Sequence, residues 1–161
     1  MKGRLALTVF SEEDFQRLYE ILKDVSLATM RQATGVADSI HDVENWMEIR
    51  RKRQSASDFC LAIRDQESSL LLGFVTLSSF DEEHATAEIG IVVHPGHQGG
   101  VGGPALKQLQ RLAHEDFGFI KLVANVLLEN SIGQRFFLKN GYVPISSTSG
   151  AILLGKMLDT I

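Results

Sequence analysis

The sequence predicts a mixed α/β fold, a central and mostly antiparallel sheet flanked by helices, with elements in the order β-α-α-β-β-β-α-β-α-β-β. Three observations predict it. Apolar residues alternate with period two near the amino terminus, as on a half-buried strand. Between Asp58 and Val93, three apolar runs are separated by polar turns, the pattern of an antiparallel meander. A glycine-rich turn then leads from the last run into apolar residues at helical spacing, and a second strand-helix pair precedes two final strands.

Each element has its own signal. Leu5, Leu7 and Val9 mark the opening strand. Ser11 with Asp14 resembles a capping box, and Phe15, Leu18, Leu22 and Val25 follow at helical spacing, predicting a helix over 12–25. Ser39 with Asp42 repeats the arrangement, and Ile40, Val43, Met47 and Ile49 form the stripe of a second helix. Its carboxyl end carries Arg50, Arg51, Lys52 and Arg53, where cations favour the helix dipole. The meander comprises Phe59–Ile63, Leu70–Leu77 and Ala87–Val93. Ala105, Leu106, Leu109, Leu112 and Ala113 predict the next helix, with Pro104 tolerated in its first turn. A buried strand over Lys121–Leu127, a helix over Ser131–Asn140 closed by Gly141, and strands over Tyr142–Ser147 and Ala151–Leu158 complete the chain.

The chain has 161 residues, 44% apolar and 22% charged, enough for one real core, and a single domain over 1–161 is the expectation. A formal net charge of -4 argues against a nucleic-acid partner, which calls for a strongly basic face. The apolar stretch at the amino terminus is too short for a signal sequence or a membrane span, so a cytoplasmic protein without a membrane partner is expected. The one cysteine, Cys60, lies in an apolar run and reads as core.

The richest segment runs His94-Pro95-Gly96-His97-Gln98-Gly99-Gly100-Val101-Gly102-Gly103 between a strand and a helix. Successive glycines let backbone amides converge, and the positive end of the helix dipole adds to them, so a pyrophosphate can bind without lysine or arginine. A Walker-type loop would end in Gly-Lys-Ser or Gly-Lys-Thr, whereas this turn ends in Gly-Gly-Pro. Gly100 to Ala105 matches G-x-G-x-x-A, but it stands far from the strand and too little chain follows for a doubly wound dinucleotide domain.

The dinucleotide stays as a rival, and the third reading of the turn is coenzyme A, which rests on a resemblance. Ala87-Glu88-Ile89-Gly90-Ile91-Val92-Val93-His94-Pro95, the turn, and the segment from Asn130 to Tyr142 together resemble the GNAT acetyltransferase superfamily, most of all its ribosomal-protein alanine and spermidine N-acetyltransferase branch. The resemblance covers essentially the whole chain. It implies acetyl-CoA as cosubstrate, a primary amine as acceptor and direct acetyl transfer, with a homodimer as one candidate assembly. Ile91, Val92 and Val93 would offer backbone groups to the pantetheine arm, and the amides of Gln98, Gly99, Gly100, Val101, Gly102 and Gly103 would hold the pyrophosphate. A bulged strand near Val92 would supply an amide to the oxyanion. Asn130 would face the cofactor, although asparagine is also a favoured helix cap. Glu88 matches the carboxylate that takes the amine's proton, or is a glutamate at a strand edge.

The chain departs from the family pattern in three places. In the turn, counting from Gln98 puts Val101 at the first required glycine, and counting from His97 lets Gly100 and Gly102 both fit, leaving two registers. Phe137 stands where many relatives have a tyrosine that protonates the thiolate, and Gly133 where many have serine. A module that binds acyl-CoA without catalysis is therefore the alternative to an enzyme. His94 and His97 lack a third ligand at recognisable spacing, so no metal is expected. Trp46 and Met47 read as core, Tyr142 as a wall of the site or sheet packing, and Asp38, Asp42, Glu44 and Glu48 as a solvated face.

Overall fold

In a computed structural model, the described residues are 5–11, 13–24, 59–94 and 100–158. The expected second helix with Trp46, Met47 and the Arg50–Arg53 cluster, the acidic residues 38–48, Val25, His97, Gln98, Gly99 and the side chains of Phe15 and Leu22 lie outside this description.

The chain forms β1 (Leu5–Thr8), α1 (Asp14–Asp24), β2 (Phe59–Asp65), β3 (Leu71–Asp81), β4 (Thr86–Val93), α2 (Gly102–Glu115), β5 (Lys121–Leu127), α3 (Ser131–Lys139), β6 (Val143–Ser147) and β7 (Ala151–Met157). The seven strands make one sheet in the order β1-β2-β3-β4-β5-β7-β6. Every neighbouring pair is antiparallel except β4 and β5. These two are joined through α2, the crossover that parallel strands require.

Strand alternation gives the sheet two faces. On one, α1 places Leu18 and Ile21 against Cys60, Ala62, Phe74 and Val92, all buried. The Ser11 amide donates to Asp14 Oδ2 at 2.8 Å, the reciprocal half of the expected capping box. Arg64 on β2 donates to Thr8 and pairs with Asp14, tying the start of α1 to the sheet. On the other face, Ala105, Leu106, Leu109 and Ala113 of α2 pack on Leu61, Ile63, Val75, Ile89 and Leu122. Burying these apolar side chains, each contributing about 1.5–3 kcal/mol, is what drives the layers together.

The carboxyl-terminal elements are locked by Tyr142, 1% exposed, whose hydroxyl donates to Gln110 Oε1 of α2 at 3.0 Å. Lys156 of β7 donates to the Asn140 carbonyl at 3.0 Å, placing a cation at the negative end of α3. Pro144 sits on the edge strand β6, where a missing amide disturbs least.

Candidate active site

β4 and β5 are paired at Thr86–Lys121, Ala87–Leu122 and Glu88–Val123, and no pairing joins them beyond that point among the described residues. The strands part there, and the gap opens into a cavity of about 560 Å³, within the range typical of small-molecule sites. Its walls are β3, β4, β5, the start of α2 and one side of α3.

The cavity reaches both faces of the sheet. Thr76, Ser78, Glu88 and Gly90 line it from the face that carries α1, as the register pairs Thr76–Gly90 and Ser78–Glu88 require. Gly100, Gly102, Gly103, Asn130, Phe136 and Phe137 line it from the face of α2 and α3. A passage between the strands thus connects a glycine turn on one side with a carboxylate on the other.

Glu88 belongs to an interior strand and is half-buried at the point where the strands part and β4 presents a freed edge. Its Oε2 accepts from the Ser79 hydroxyl at 3.3 Å. Ile91, Val92 and Val93 all line the cavity. The bulge expected near Val92 is absent from the β3–β4 ladder, which stays in register from Glu88 to Val93; the shift lies on β3 between Ser78 and Asp81.

Gly100, with φ of 83°, and Gly102 and Gly103 border the cavity. Val101 does not: it is the N-cap of α2, and its side chain is buried in the core among Val93 and Ala105. Gly100 and Gly102 thus line the cavity while the Val101 side chain turns away from it. A Cβ on Gly102 would come within 2.8 Å of Phe136 Cε1, so this glycine is what lets α3 close on the start of α2.

Asn130 is the N-cap of α3, its side chain accepting from the Gly133 amide at 3.0 Å, and it also lines the cavity. Cap and cavity wall are one residue. A Cβ at position 133 would lie 2.6 Å from Asn130 Nδ2, so a side chain here requires the Asn130 amide to shift. Phe137 is buried against the cavity, edge-to-face with Tyr142 at 5.1 Å between centroids. Tyr142 is packing rather than wall: it is absent from the cavity lining, and burial pushes its hydroxyl pKa far up.

Sequence reasoning missed Thr76, Ser78, Asn125, Lys139 and Asn140, all of which line the cavity. Thr76 and Ser78 interrupt an otherwise apolar strand, a signal that could have been read. Lys139, two residues after Phe137, is the one cation lining the cavity among the described residues. His94 is fixed by its amide, which donates to the Leu72 carbonyl at 2.8 Å. No group of three potential metal ligands occurs among the described residues, and no described helix is long and apolar enough to cross a membrane.

A sheet that parts at its one parallel pair, beside glycines at the start of a helix, defines a protein with a cleft for a small-molecule ligand. Residues 4–143 match the acetyltransferase (GNAT) domain family, and the chain belongs to it. No curated protein matches its sequence. Among solved structures, the chain is similar to a Vibrio cholerae protein assigned as a ribosomal-protein-serine acetyltransferase, with a TM-score of 0.82, 17% identity, and coverage of 98% of this chain and 95% of that one. It is also similar to spermidine N-acetyltransferase from Vibrio cholerae in complex with CoA and spermine, with a TM-score of 0.74, 16% identity, and coverage of 96% and 95%. A dodecameric form of spermidine N-acetyltransferase from the same organism gives 0.73 at 15% identity, covering 97% and 95%. At these identities the likeness establishes the fold.

Proposed function

We propose that this chain transfers an acetyl group from acetyl-CoA to a primary amine by direct attack, with Glu88 as the base. The observation that carries this reading is the opening of the sheet beyond Glu88 and Val123, which brings a glycine turn and a carboxylate to one passage. The residues present suit the cofactor. The amides of Gly100, Gly102 and Gly103 at the start of α2 suit the pyrophosphate, joined by Gln98, Gly99 and Val101 on the family pattern. The freed edge of β4 at Ile91, Val92 and Val93 suits the pantetheine amides, and Asn130 and Phe137, which line the same cavity, would contact the cofactor. Lys139 supplies a cation on the same wall.

An amine attacks a thioester only when neutral, yet an alkylamine of pKa about 10 is almost wholly protonated at pH 7. Glu88 lies on the α1 face of the passage, where an acceptor can meet a cofactor entering from the other face, and would take that proton directly or through water. Polyamines, protein α-amino groups and small amines all satisfy this chemistry; among proteins of the same fold, one carries the name of a spermidine N-acetyltransferase and one that of a ribosomal-protein-serine acetyltransferase.

The test is thiol release from acetyl-CoA with a panel of such amines. Glu88→Gln should lower turnover about a hundredfold or more, as general bases do, with the greatest loss near neutral pH. Unchanged turnover and an unchanged pH profile would remove Glu88 from the mechanism. Phe137, which cannot donate a proton, favours a second reading as a binding module. Tight coenzyme A binding with no turnover on any amine would support that one.

A further inference from the structure

β3 places two residues, Ser79 and Phe80, opposite the single Ala87 of β4, between the pairs Ser78–Glu88 and Asp81–Thr86. Ser79 takes the left-handed conformation, with φ of 51°. This is the bulge position at which glycine is the ordinary occupant, because any Cβ there is strained. The chain nevertheless carries a serine, and its hydroxyl turns back onto Oε2 of Glu88 at 3.3 Å. A strained residue beside a functional group is where a role beyond the turn is to be sought.

We propose that Ser79 is a positioning residue for Glu88: the bulge aims its hydroxyl so that the carboxylate is held over the passage between β4 and β5. The proposal rests on the reading of Glu88 as the base. Among the described residues, the charged neighbours Asp81 and Lys121 are directed away from the carboxylate. Asp81 on β3 is bound to the His84 ring at 2.8 Å, and Lys121 on β5 directs its stem toward Gly155 of β7. Ser78, the register partner of Glu88, lines the cavity on the same face. Without the bulge, strand alternation would turn residue 79 to the opposite face, out of reach of Glu88.

Three variants of the full chain test this, with spermidine and an alanine-initiated peptide as acceptor probes. Ser79→Gly removes the hydroxyl and relieves the strain, so the protein should melt no lower than the wild type. Its kcat should nonetheless fall about three- to tenfold, the net worth of one typical intramolecular hydrogen bond, while the KM for acetyl-CoA stays unchanged. Ser79→Asn keeps a donor on a residue that tolerates the left-handed region and should recover most of the loss. Glu88→Gln sets the floor.

The outcomes separate the two readings. If Glu88→Gln is nearly inactive while Ser79→Gly turns over like the wild type, Ser79 is only a turn residue and the proposal alone fails. If Ser79→Gly loses activity together with thermal stability, the effect is structural and the proposal fails likewise. If Glu88→Gln is fully active, the base reading fails and takes the proposal with it. Should the wild type acetylate neither probe, the crystal structure of Ser79→Gly decides: a Glu88 side chain in its wild-type position overturns the proposal, and one turned from the passage supports it.

Discussion

Replacing Tyr142 by phenylalanine separates packing from proton transfer. The hydroxyl lies in a part of the core where Tyr142 is 1% and Gln110 3% exposed, and the 3.0 Å bond to Gln110 Oε1 crosses from the α3–β6 connection to α2. Tyr142→Phe leaves that buried oxygen without its donor, at a cost of about 1–3 kcal/mol. For a chain of this size the melting temperature should fall by about 2–10 °C. Adding Gln110→Leu removes the stranded acceptor and should recover part of the loss. Turnover of acetyl-CoA below the melting range should be that of the wild type, because burial raises the phenol's pKa and its proton is committed to Gln110. Thermal melts and thiol release are the two measurements. A variant that melts like the wild type yet loses tenfold or more in kcat would refute this reasoning, and would make Tyr142 the acid that Phe137 cannot be.

Two further outcomes follow from the same contacts. Burial pushes the Asp14 carboxyl up, but the Arg64 guanidinium and the Ser11 amide and hydroxyl outweigh it and hold the group below the usual carboxylate range. A depressed folded-state value means stabilisation that is complete above the ordinary carboxylate pKa, about 4, and lost as pH falls through the folded value. Asp14→Asn should therefore lower stability at neutral pH and flatten its acid-side decline in denaturation curves taken across pH. Gly133→Ser, the family-like change, pushes a Cβ to within 2.6 Å of Asn130 Nδ2. It should displace the cap of α3, costing about 1 kcal/mol in chemical denaturation and raising the KM for acetyl-CoA.

The order of the described elements was legible because each strand and helix carries its own period and punctuation. Leu18 lies on the buried face of α1, Asn130 caps α3 and Cys60 is core, as their contexts indicated. The site was legible where it depends on backbone. Glycines before a helix announce convergent amides whatever the register, and only the three-dimensional start of α2 shows Val101 turning into the core. What escaped was contributed across strands. Thr76 and Ser78 matter because β3 lies beside β4, and Ser79 because a bulge lets a residue of the wrong parity reach Glu88. The displaced bulge teaches the same lesson: a one-residue irregularity leaves no periodic trace, and its placement on β3 rather than β4 is settled by pairing alone.

The seam between β4 and β5 also has a mechanical meaning. Strands β1–β4 and β5–β7 are two continuous antiparallel blocks, held side by side in the sheet by three parallel residue pairs. Parallel pairing is the less stable kind per residue, so the sheet is weakest where its cleft lies. A molecule lodged across that seam touches both blocks at once and acts as a removable rivet, adding stability that grows with its concentration. The rigidity of the whole fold is thereby coupled to the supply of whatever occupies the cleft.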